Sequence, residues 1–100
     1  MYIAMNRFRI RPGHEDEFED IWRQRETYLD TVPGFQSFNL LKGPSSDKHS
    51  LYASHSVWDN ADAFQGWTRS EQFRKAHAQA GVKKEIYLGP PQFEGFESVL

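Results

Sequence analysis

Phe35-Gln36-Ser37-Phe38-Asn39-Leu40-Leu41-Lys42-Gly43-Pro44-Ser45-Ser46-Asp47-Lys48-His49-Ser50-Leu51-Tyr52-Ala53-Ser54-His55-Ser56-Val57-Trp58 reads as two strands around a polar turn. From Phe35 to Lys42, Gln36, Phe38 and Leu40 alternate with Phe35, Ser37, Asn39 and Leu41. From His49 to Trp58, Leu51, Ala53, His55 and Val57 face one way and Tyr52, Ser54, Ser56 and Trp58 the other. Period-two alternation of this kind is the mark of a strand. Gly43 to Lys48 is a run of turn formers, so the pair is expected to be an antiparallel hairpin. Apolar residues stand on both faces, which asks for cover on both: helices on one side, a partner sheet on the other.

Upstream of the hairpin, Tyr2 to Ile10 alternates as a strand, with Tyr2, Ala4, Asn6, Phe8 and Ile10 on one face. Arg11-Pro12-Gly13 is a turn. Phe18, Ile21, Trp22, Arg25, Leu29 and Val32 keep a helical stripe, which predicts a helix running to about Val32 and stopped by Pro33-Gly34. Glu15, Asp16 and Glu17 complement its dipole, and Glu19 pairs with Arg23 at i,i+4. Downstream, Asp59 is expected to cap a short helix through Trp67, whose inner side carries Ala63, Phe64 and Trp67. A second short helix follows, opened by a capping box at Thr68-Arg69-Ser70-Glu71 and closed by Gly81. Val82 to Pro91 is a loop with enough apolar side chains to pack on the body, and Gln92 to Leu100 is the last strand. The order β-α-β-β-α-β, its second α split in two, is the ferredoxin-like α+β pattern with one antiparallel sheet. Its uncovered sheet face predicts a dimer packed sheet to sheet.

The chain of 100 residues is read as a single domain, 1–100. A formal net charge of −2, with 12 basic and 14 acidic residues intermixed, offers no positive field for nucleic acid. The lack of cysteine removes disulfides, thiolate metal sites and a thiol nucleophile. No apolar span is long enough for a membrane helix and no signal segment stands at Met1, so a soluble cytoplasmic protein is expected. Fifteen aromatic side chains exceed what so small a core needs and suggest an apolar pocket or a subunit interface.

No Walker loop, G-x-G-x-x-G, G-x-S-x-G or H-E-x-x-H is present. Attention falls instead on polar residues set in apolar patterns. Asn6 interrupts the apolar face of the first strand, where its amide either bonds to neighbouring backbone or aims into a pocket. Phe73, Ala76, His77 and Ala80 form the stripe of the last helix, so His77 faces inward among small neighbours. It is either a hydrogen-bonded core histidine or an axial ligand for an iron porphyrin. His14 and His49 fall at element starts beside polar residues, and His55 lies on the second sheet face. Trp67 by itself reads as core, but the break at Thr68 lets it share a pocket with His77.

These residues carry a resemblance. Trp67, Ser70, Phe73 and His77 stand at the W-x2-S-x2-F-x3-H spacing of the Isd-type haem-degrading monooxygenases of the antibiotic-biosynthesis-monooxygenase (ABM) superfamily. The likeness extends from Met1-Tyr2-Ile3-Ala4-Met5-Asn6 through Val57-Trp58. Gly89-Pro90-Pro91-Gln92-Phe93-Glu94-Gly95-Phe96 resembles a bacterial haem-utilisation branch outside the staphylococcal type. The resemblance implies a dimeric α+β barrel and a haem site formed by Asn6, Trp67 and His77. In it His77 is the axial ligand of the haem iron, Asn6 hydrogen-bonds the attacking oxygen, and Trp67 presses on the porphyrin to favour a buckled ring. Phe64, Phe73, Phe8 and the loop from Val82 to Leu88 are candidate apolar walls, and Arg69, Lys75, Lys83 or Lys84 candidate partners of the propionates. The implied reaction opens haem with O2 and electrons from an external donor such as a reductase, releasing iron and a linear tetrapyrrole. Three other readings stay open: a haem carrier using the same histidine, a cofactor-free ABM oxygenase acting on a small aromatic substrate, and a purely structural dimeric barrel.

Overall fold

The computed structural model describes residues 1–25, 28–78 and 84–100, without the side chains of Gln72, Ala76, His77, Ala78 and Lys84. The expected hairpin is there, as β2 (Phe35–Ser45) and β3 (Ser50–Trp58). β1 (Tyr2–Ile10) lies against β3, and β4 (Gln92–Glu97) against β1, giving an antiparallel sheet in the order β2-β3-β1-β4. Helices α1 (Glu15–Gln24), α2 (Ala61–Thr68) and α3 (Glu71–Ala78) complete a ferredoxin-like α+β fold. Among the described residues no helix is long and apolar enough to cross a membrane.

Cross-strand rows define the helix-facing side. Phe35, Trp58 and Tyr2 align; so do Phe38, Ser56, Ala4 and Gly95, then Leu40, Ser54, Asn6 and Phe93, then Tyr52 and Phe8. The alternation expected of β2 is broken by a bulge between Phe35 and Ser37. The extra residue reverses the side of Phe35, which joins Phe38 over the core and meets Trp58 edge to face. A second irregularity between Lys42 and Ser45 extends pairing into Gly43-Pro44-Ser45, so the turn is shorter than the composition suggests. At the other edge, β4 ends at Glu97 rather than Leu100.

The α1 helix stops earlier than its stripe predicts. Arg25 is already extended (ψ 129°) and Tyr28 is left-handed (φ 59°), a conformation that cannot continue a helix. Leu29 and Val32 still reach the core, Leu29 from a 3₁₀ turn (Leu29–Thr31), because a stripe records burial and not helix continuity. Two α1 carboxylates tie the helix to β3 in a way periodicity does not foretell. Ser50 Oγ donates to Glu15 at 2.6 Å and the Tyr52 hydroxyl donates to Glu19. These bonds hold both carboxyls below the usual range. Arg23 pairs with Glu19 as expected. The loop before β4 packs as predicted over its described part: Ile86 is fully buried, and Arg9 and Arg11 exchange backbone bonds with Leu88 and Ile86.

Gly34, the stop signal after α1, also sets how closely α2 can approach. Its φ is +84°, and a Cβ there would lie 2.5 Å from the Ala63 Cβ. An L-residue would therefore be strained in its backbone and would push α2 off the sheet. Gly34→Ala is expected to destabilise the fold by about 2–4 kcal/mol. Urea unfolding followed by tryptophan fluorescence measures this, and a loss below about 1 kcal/mol would contradict the close approach.

Candidate functional site

The helix-covered side of the sheet carries two separate apolar clusters. Phe8, Ile10, Phe18, Tyr52 and Ile86 form the first, with Ile21, Trp22, Leu40 and Tyr87 packed against them. Ala4, Leu29 and Trp58 form the second, with Tyr2, Phe35, Phe38, Phe64 and Trp67 among its flanking residues. Between them runs the row containing Ser54 and Asn6. Asn6 is half-buried, and among the described residues nothing hydrogen-bonds its side chain. The neighbouring-backbone partner that the sequence left open is thus not what satisfies this amide. The two clusters touch at one end of the row, where Trp22 stacks on Phe38 with centroids 5.6 Å apart.

The wall on the α2 side is built by the break between α2 and α3, where the cap falls two residues later than the one expected at Thr68. Thr68 ends α2, its hydroxyl donating to the Gln65 carbonyl, and Ser70 makes the cap. Ser70 Oγ accepts from Phe73 N–H at 3.1 Å and donates to the Trp67 carbonyl at 2.6 Å. A similar shift occurs at the start of α2, where Asn60 and not Asp59 caps Ala63 N–H, Asp59 instead accepting from Gln36. The Ser70 turn folds Phe73 back on Trp67, edge to face at 4.7 Å. Trp67 also meets Trp58 at 5.7 Å and Phe64 at 6.4 Å, and Phe64 stacks on Phe93 at 5.5 Å.

The structure therefore brings Trp67, Phe64 and Phe73 into one aromatic wall. Asn6 reaches that wall through its cross-strand neighbour Phe93. His77 belongs to α3 one turn after Phe73, and its side chain lies outside the described residues, as do Ala80, Gly81, Val82 and Lys83. A cavity of about 330 Å³ opens on another side of Trp67, between Val32-Pro33 and the α2 residues Ala63 and Gly66. Asn6 and Phe64 do not line it, so it is distinct from the seam between the clusters.

On the α1 side, Trp22 and Arg25 matter more than the sequence suggested. Trp22 is packed as expected of core, yet its indole N–H is buried without an acceptor among the described residues. Arg25 folds back over the same ring, its Cζ 4.1 Å from the centroid. A basic residue at an apolar-stripe position was the available signal.

Comparison with known proteins fits this arrangement. The chain is 27% identical over 88 residues to a haem-degrading monooxygenase of Bacillus thuringiensis (strain Al Hakam), covering 88% of this chain and 81% of that one. Its fold matches the haem degrader MhuD of Mycobacterium tuberculosis, solved with two haems in its active site. That match has a TM-score of 0.75 and 25% identity, and covers 100% of this chain and 97% of the other. It also matches SnoaB, a cofactor-independent oxygenase of Streptomyces nogalater, with a TM-score of 0.72 and 22% identity over 99% and 93% of the two chains. Residues 1–79 match the model of one family from end to end of the helix pair and the hairpin, and the chain belongs to that family, antibiotic biosynthesis monooxygenase.

Proposed function

We propose that this chain is a haem-degrading monooxygenase whose site is the seam between the two clusters. The observation that carries the reading is Asn6, whose amide no described residue engages, on a sheet floor with aromatic side chains on either side. A flat, mostly apolar molecule with polar edges suits such a surface, and the buried indole N–H of Trp22, without an acceptor among the described residues, is a further donor. Support comes from the haem-degrading relatives of Bacillus and Mycobacterium. When bound, haem supplies the iron for O2 chemistry, takes electrons from an external donor and is itself the ring opened, yielding iron and a linear tetrapyrrole. Every other task falls to the chain. His77 offers an imidazole from α3 as the iron ligand. Asn6 donates its amide N–H toward the oxidant and fixes its direction. Trp67, held by Phe73, Trp58 and Phe64, gives a rigid aromatic surface against which the ring is bent. Phe64 and Phe73 exclude water.

The same reading takes the protein as a cytoplasmic homodimer, served by a separate reductase. The sheet face away from the helices carries Ile3, Met5, Leu51, Ala53 and Val57, with Leu41 42% and Phe96 48% exposed at its margins. A second copy is the cover that suits it.

Hemin titration of the purified protein tests the function, followed by ascorbate under air with catalase present. A Soret band of histidine-ligated haem, then its decay with iron release and a bilin-like chromophore, is the expected result. Stable haem after reductant would make the protein a carrier. Absence of binding would leave the cofactor-independent chemistry of SnoaB as the better precedent.

A further inference from the structure

The edge strand β4 carries two features that converge on α2. Phe93 faces the helices in the row of Asn6, an apolar ring left 49% exposed. It lies nearly parallel to Phe64, the planes 8° apart and the centroids 5.5 Å. Two residues on stands Gly95, and a glycine inside a strand weakens it unless something must approach closely. What approaches is Tyr2. A Cβ on Gly95 would overlap the Tyr2 hydroxyl and lie 2.8 Å from its Cζ. Tyr2 stands diagonally across the β1–β4 pair, a position from which an aromatic ring can cover a glycine. Laid there, it meets Phe64 at 5.7 Å. With Trp58 at 5.6 Å, three rings of the sheet hold this one side chain.

Covering a glycine is a matter of folding, but a half-exposed ring spent on Phe64 is not explained by it. Phe64 and Trp67 are i and i+3 on α2, a helix of 8 residues with no fully buried side chain. Neighbours at that spacing share a face, so in so short a helix whatever holds Phe64 also holds Trp67. We propose that β4 is the positioning element for Trp67. Phe93, with Tyr2 laid across Gly95, fixes Phe64 and through it the angle at which the Trp67 indole meets the porphyrin, and so the edge at which the ring opens. The inference rests on the haem reading and deepens it. Phe93, Tyr2 and Gly95 act through Trp67 and are positioning residues, a role in which small displacements matter because the reacting geometry is exacting.

The test reads wild type, Phe93→Ala and Phe93→Tyr in two ways, with thermal melts to confirm folding. Circular dichroism of the empty protein reads the exciton coupling of Trp58 and Trp67, whose rings are 5.7 Å apart and inclined at 33°, and which depends on their mutual angle. Chromatography of the tetrapyrroles formed from hemin and ascorbate reads the edge attacked. Phe93→Ala is expected to lower the couplet by about half and to change the isomer ratio about 3-fold or more, with hemin affinity within about 3-fold of wild type. Phe93→Tyr keeps the stacked ring and should match wild type in both readings. Phe93→Leu, apolar but without a flat face, carries the test if Phe93→Ala does not melt cooperatively. An unchanged couplet in the ring-less variant, or a changed couplet with the wild-type isomer ratio, would overturn the positioning role while leaving the haem reading intact. A wild type that fails to bind or open hemin would overturn the haem reading and this role with it.

Discussion

Substitution of His77 by alanine is expected to leave the fold intact, weaken hemin binding by about 100-fold or more, and abolish ring opening. The fold should survive because alanine is the best helix former and α3 is short and capped by Ser70. Binding should collapse because on this reading the imidazole is the ligand the protein gives the iron, and no cysteine exists to replace it. Loss of a neutral imidazole then leaves only dispersion and polar edge contacts to retain the porphyrin. Added imidazole should restore part of the Soret shift in the variant, separating lost ligation from lost structure. An unchanged Soret band together with wild-type turnover would remove His77 from the site.

Asn6→Ala should behave in the opposite way, keeping hemin within about 3-fold of wild-type affinity while turnover drops roughly 100-fold, the effect of removing one positioned donor from a reacting centre. The amide is engaged by no described residue, so its removal leaves nothing unpaired among them. Its contribution must therefore appear during the reaction if it appears at all. Asn6→Asp is the sharper variant, being nearly isosteric but unable to donate when ionised. Single-turnover decay of the Soret band after ascorbate is the measurement. Wild-type decay in both variants would show that the amide does not steer the oxidant.

The strand order and the aromatic wall were legible because both rest on local rules. Alternation put Tyr52 and Trp58 on one face of their strand and Asn6 on the apolar face of the first, faces that the structure turns to the helices, and the break expected at Thr68 let Trp67 share a pocket with the next helix, whose Phe73 it meets. The details that escaped are tertiary. A bulge shifts Phe35 without leaving a mark in composition, and a helix stripe continues through Leu29 after the helix has ended. Caps slipped by one residue, from Asp59 to Asn60, and by two, from Thr68 to Ser70, because each site offers neighbouring side chains able to cap. Arg25 and Trp22 escaped because what sets them apart, a guanidinium folded over a ring whose N–H has no acceptor among the described residues, is not displayed by any one-dimensional pattern.

The divided core has a thermodynamic consequence. Joining the two clusters through an apolar residue at position 6 would bury more surface, and the chain forgoes that gain to keep a polar row open. On the proposed reading the empty protein is the less stable one, the missing cohesion being supplied by the ligand that fills the row. A ligand at 100 times its dissociation constant adds about 2.7 kcal/mol, comparable to one well-buried aromatic side chain. Occupancy and persistence against unfolding are then linked, so the filled protein outlasts the empty one wherever unfolding exposes it to proteolysis.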